Sequence, residues 1–78
     1  MAIDNPRIRS ALTRREITQQ QLAAALGITQ PQVSARLAGR VRWRADELAT
    51  VAALVDEPLA DFVRLHHPAG RALAASAA

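Results

Sequence analysis

The side chains best suited to recognition chemistry are amides and guanidiniums, and they crowd the first half of the chain. Gln19, Gln30 and Gln32 each place a donor and an acceptor on one planar group. Such a group can accept from N6 and donate to N7 of adenine. Arg36, Arg40, Arg42 and Arg44 follow in close succession, a run able to line a phosphate backbone. Groups for bond-making chemistry do not assemble in the same way. Ser34 and Ser76 have no base and carboxylate in a recognisable arrangement. His66 and His67 are adjacent, so on a helix they point to different faces, and no carboxylate or cysteine stands at ligand spacing from them. There is no glycine-rich phosphate loop. The expectation is a non-enzyme with no metal, no cofactor and no small-molecule substrate.

The elements that must position these groups lie between Thr18 and Gly39. Thr18 followed by Gln21 is a capping-box signature, so a helix starts at Gln19. Leu22 and Leu26 share one face of it, with Ala23 beside them where another helix can approach. Gly27 stands where the chain must leave the helix with positive φ. Thr29 and Gln32 then repeat the capping box and open a second helix. Pro31 is tolerated in its first turn, where N–H groups lack helical partners anyway. Val33 and Leu37 form the core stripe of this second helix, and Gly39 ends it.

On either side the pattern remains helical. Asn5-Pro6 reads as an Asx cap followed by Pro at the first helical position. That helix runs to about Arg15, with Ile8, Ala11 and Leu12 inward and Arg7, Arg9, Arg14 and Arg15 outward; Ile17 packs under the start of the central pair. After the loop Arg40-Val41-Arg42-Trp43-Arg44, a helix begins near Ala45, its dipole favoured by Asp46 and Glu47. Leu48, Val51, Ala52 and Val55 make its buried stripe. Asp56-Glu57-Pro58 breaks the chain, and Leu59, Phe62, Val63 and His66 mark a fifth helix by their spacing. No period-two alternation predicts a strand. Residues 1–67 form the domain and 68–78 an Ala-rich tail that is frayed or a weak helix needing a neighbour.

Length and charge narrow the classes further. A chain of 78 residues supports one small core, built from Leu, Ile and Val with Phe62 and Trp43. It has no cysteine, no signal-peptide pattern and no apolar run of membrane-spanning length. The formal charge of +3 is unevenly spread: residues 1–44 hold eight arginines against Asp4 and Glu16, and residues 45–78 hold two arginines against five acids. The half that carries the paired helices is therefore the basic one, as a phosphate-facing surface requires.

Two short helices joined at this spacing form a helix-turn-helix pattern, and the stretch resembles the Cro/repressor class of DNA-binding domains. Gln19, Leu22, Ala23, Leu26, Gly27, Ile28, Thr29, Gln30, Val33 and Gly39 carry the resemblance, which continues less strictly over about residues 6 to 66. It implies an all-α, five-helix, lambda-repressor-like fold with the motif at helices 2 and 3. One departure stands out: Arg36 occupies a position where the class usually has an apolar residue. Either the recognition helix is rotated, or Leu37 next door takes over the anchoring.

In such domains the second motif helix enters the major groove with its N-terminal residues at base edges. That makes Gln30, Pro31, Gln32, Ser34 and Ala35 the candidate base contacts. Gln30 is the leading one, and Gln32 can cap or read, not both. The resemblance assigns Gln19 to a phosphate; Thr29 stands at the other helix N-terminus with the same opportunity. Arg36, Arg40, Arg42 and Arg44 complete the candidate backbone contacts, while Trp43 packs the loop onto the domain. So thin a base-reading set calls for DNA shape and for two copies bound together, with Leu65 and the apolar side of the fifth helix as a candidate dimer surface.

The reading that follows is a sequence-specific regulator that binds a double-stranded DNA operator as a homodimer. It would repress by occupancy, in the manner of a phage Cro, within the cytoplasm and nucleoid of a bacterial host. The Arg- and Ala-rich composition resembles regulators of actinobacterial phages and prophages, with a role in lysogeny. The alternative is an antitoxin-like interaction protein whose acidic C-terminal half holds a protein toxin. The terminal Ala77-Ala78 resembles tags read by bacterial proteases.

Overall fold

The computed structural model describes residues 2–64. The element order is β1 (Ala2–Ile3), α1 (Asn5–Arg14), α2 (Gln19–Leu26), α3 (Gln30–Leu37), α4 (Ala45–Val55), a 3-10 turn (Leu59–Phe62) and β2 (Val63–Arg64). The tail, Leu65 and both histidines lie outside the described residues.

Local chemistry sets most of the helix boundaries. Thr18 Oγ1 accepts from the Gln21 N–H at 3.0 Å while Gln21 Oε1 accepts from the Thr18 N–H at 2.8 Å. Thr29 and Gln32 repeat the exchange at 3.3 and 2.8 Å, so both predicted capping boxes form. The first helix departs from expectation by one residue. Asp4 is its cap, with Oδ1 accepting from the Arg7 N–H at 3.2 Å. Asn5 is already helical, and its Oδ1 accepts instead from the Trp43 indole N–H at 2.8 Å. A buried indole needs an acceptor, and Asn5 supplies it from α1.

All four α-helices end alike. A left-handed residue follows the helix, and the next N–H donates back to a carbonyl five residues earlier, as in a Schellman motif. Gly27 (φ +71) is followed by Ile28 N–H to Ala23 O at 3.0 Å, and Gly39 (φ +81) by Arg40 N–H to Ala35 O at 2.9 Å. The other two positions are Glu16 (φ +56) and Asp56 (φ +55), with Ile17 N–H to Leu12 O at 2.9 Å and Glu57 N–H to Ala52 O at 3.1 Å.

The core joins Ile8, Ala11 and Leu12 of α1, Leu22 and Ala23 of α2, Val33 and Leu37 of α3, and Leu48, Val51, Ala52 and Val55 of α4 to Trp43 and Phe62. Ile3, Ile17, Leu26 and Ile28 pack on its margin. Leu37 is thus the anchor of α3.

The expected fifth helix does not form over Leu59–Arg64, which gives four α-helices among the described residues. After Pro58 the chain makes one 3-10 turn, closed by Asp61 N–H to Pro58 O at 3.0 Å. Phe62 is fully buried while Leu59 is 40 % exposed, so the helical spacing of 59, 62 and 63 does not describe one buried stripe. Beyond Phe62 the backbone is extended and pairs antiparallel with the N-terminus, Ala2 opposite Arg64 and Ile3 opposite Val63. Asp4 N–H to Phe62 O at 2.8 Å continues the ladder. Two-residue strands are too short to show alternation, so sequence periodicity misses them. No described helix is long and apolar enough to cross a membrane.

Candidate nucleic-acid interface

The repeated capping boxes put Gln19 and Gln30 at the same place in their helices, the first residue of α2 and of α3. The tight turn at Gly27 then brings the two helix starts together. Gln30 Nε2 donates to Gln19 Oε1 at 2.6 Å across the motif. The bond spends one amide hydrogen of Gln30 and leaves it a free Nε2 hydrogen and its Oε1, the donor and acceptor that adenine requires. Gln19 keeps both hydrogens of its Nε2.

The backbone at these two starts is not equivalent. Each threonine hydroxyl takes the third N–H of its helix, leaving the first two without intrahelical acceptors. In α2 these belong to Gln19 and Gln20. In α3 the second is Pro31, which has no N–H. The α2 start therefore offers the larger share of donors to an anion, with Gln19 beside them.

The remaining candidates fall into three groups. Gln32 is exposed, but its Oε1 is committed to the Thr29 N–H at 2.8 Å; capping takes the acceptor that bidentate reading would need. Pro31 is exposed, and Ser34 and Ala35, about one turn further on, are half-buried. Thr29 is exposed, with its hydroxyl engaged in the cap.

Among the arginines, the fold makes distinctions that composition does not. Arg36 turns inward with its side chain only 11 % exposed: Nε meets Glu47 Oε1 at 3.0 Å and Nη1 donates to the Gln32 carbonyl at 3.1 Å. That geometry spends Nε and Nη1 on partners within the protein, where the sequence offered Arg36 as a phosphate contact. Arg44 is exposed and pairs with Asp46 at 3.3 Å. Arg40 and Arg42 are exposed, with no carboxylate partner among the described residues. On α1, by contrast, Arg14 meets Glu57 at 2.8 Å and Arg7 approaches Asp61 at 4.0 Å. Acids of the C-terminal half thus reach Arg7 and Arg14 on the first helix and Arg36 on α3, while Arg40 and Arg42 have no carboxylate beside them among the described residues.

Trp43 packs as expected, 9 % exposed and bonded to Asn5. Two features escaped the sequence reading. The Gln19–Gln30 pairing was signalled by the eleven-residue repeat of Thr-x-x-Gln, which superposes the two positions. Glu47, expected only as a dipole partner, is 6 % exposed and is the buried charged side chain among the described residues. Its signal was Arg36 on the core side of α3, a charge that calls for a buried partner.

No curated protein and no solved structure matches the chain. Residues 7–66 match the model of the Cro/C1-type HTH DNA-binding domain, and with the two capped helices, the glycine turn and the joined glutamines in place, the chain belongs to that family.

Proposed function

We propose that the protein is a sequence-specific regulator that reads duplex DNA with the N-terminal turn of α3 and represses by occupying its operator. The Gln19–Gln30 bond supports this reading, because it holds the two amides together and leaves Gln30 a donor and an acceptor for a base. Gln30 reads adenine; Pro31 and Ala35 offer apolar contact, for example to a thymine methyl, and Ser34 allows close approach. Gln19, Thr29, Arg40 and Arg42 hold phosphates, with Arg44 at the edge of that set. The few base contacts favour binding as a homodimer on half-sites about one helical turn apart, in the manner of a phage Cro.

The test is titration of the DNA flanking the coding sequence beside a scrambled duplex, at two salt concentrations. A preference of about a thousandfold or more that survives the higher salt is the expected result, with a footprint giving the half-site spacing. Weak binding that vanishes equally on both duplexes would defeat sequence-specific recognition and turn the search to a protein partner.

A further inference from the structure

One carboxylate oxygen ties together the two ends of the basic loop. Glu47 Oε1 accepts from Arg36 Nε at 3.0 Å, in the last turn of α3, and from the Arg44 N–H at 2.8 Å, where α4 begins. Everything between is bracketed by that oxygen, including Arg40 and Arg42, which have no carboxylate partner among the described residues. Trp43 adds a third fixed point through its bond to Asn5 of α1. The same contact lies beside Leu37, which with Val33 anchors α3 in the core. Arg36 lies six residues beyond Gln30, roughly 240° around the helix. The face of α3 that meets Glu47 is therefore distinct from the one that carries Gln30, and holding the first in place holds the second beside Gln19.

We propose that Arg36 and Glu47 are positioning residues for DNA recognition: their buried pair sets the rotation of α3 and aims Arg40 and Arg42 at the phosphates beside the base that Gln30 reads. Arg36 then acts through Glu47 and makes no phosphate contact of its own. This inference rests on the DNA-binding reading above and adds the means by which the two parts of the interface are held in register. A buried ion pair contributes little net stability compared with apolar residues of similar volume, and setting a unique geometry is its better-attested use.

The test uses the full chain and a short duplex of random sequence, titrated over a range of salt. The proteins are wild type, Glu47→Gln, the Arg36→Met/Glu47→Gln pair, Arg40→Ala/Arg42→Ala, and Glu47→Gln added to that last background. Circular dichroism confirms that each is folded at the assay temperature. The double replacement carries no buried charge and keeps the volume, so it supplies a folded variant should the single change unfold the domain. If the pair aims the loop, both Glu47 variants lose salt slope by about 0.9 for each phosphate contact released. Most of the effect of Glu47→Gln on the slope is then lost once Arg40 and Arg42 are gone. An unchanged slope in the folded variants would overturn the proposal and leave the pair purely structural. So would the same loss of affinity from Glu47→Gln with and without the loop arginines. Absence of salt-dependent binding by wild type itself would instead overturn the DNA-binding reading, and this inference with it.

Discussion

The two ends of α3 are built by different means. Its N-terminus is assembled from neighbours in sequence: Thr29 and Gln32 cap each other, and Gln30 is left exposed, reaching only to Gln19 eleven residues back. Its C-terminus is assembled from distant parts. Leu37 enters the core, Arg36 reaches Glu47 on α4, and the loop beyond is held by Trp43 on Asn5, 38 residues away. At the exposed end Gln30 can change at little cost to the fold, since only Gln19 depends on it. The buried end cannot, because each group there satisfies another that has lost its water. Recognition and anchorage are thus separated along eight residues of one helix.

That contrast can be broken most sharply at the buried end. Arg36→Ala removes one partner of the buried pair and leaves the Glu47 carboxylate uncompensated. The expected loss is about 3–5 kcal/mol in urea unfolding, and a loss below about 1 kcal/mol would show that water reaches the site and that the two ends are alike. At the exposed end, Gln30→Ala is expected to leave the urea midpoint nearly unchanged. It should cost about 1–3 kcal/mol on the preferred duplex and little on scrambled DNA; equal losses on both would remove Gln30 from base reading. Thr29→Ala tests the local cap beneath that surface. A stability loss near 1 kcal/mol is expected, smaller than that of Arg36→Ala though the two residues stand at opposite ends of one helix. A larger loss would mean that the N-terminal end also depends on tertiary contacts.

The legibility of each end follows from how it is made. A capping box is a four-residue exchange, so Thr18 with Gln21 and Thr29 with Gln32 could be read directly. Gly27 and Gly39 marked helix ends because left-handed backbone favours a residue without Cβ. Glu16 and Asp56 adopt the same conformation without that signal; Asp56 was caught only through the break at Pro58, and Glu16 through the end of the α1 pattern. The cap of α1 was displaced from Asn5 to Asp4 because Trp43, remote in sequence, claims the Asn5 side chain. The 3-10 turn and β2 were hidden for a related reason. Helical spacing of Leu59, Phe62 and Val63 is a local pattern, whereas the pairing of Val63 with Ile3 depends on the two ends of the described segment meeting.

Charge divides in the same way. Composition alone determined that the first half is basic and the second acidic, and so placed the excess positive charge with the motif. It could not say which arginines remain available. That was decided when the acidic half folded back, giving Glu57 to Arg14, Asp61 to Arg7 and Glu47 to Arg36. The helix-turn-helix, its caps and its exposed glutamines were determined by the sequence itself, because each depends on interactions within one or two turns of chain. The inward turn of Arg36, and which arginines have no carboxylate partner among the described residues, were decided only by tertiary structure. A charge is neutralised by whatever lies near it in space, and nearness in space is what folding creates.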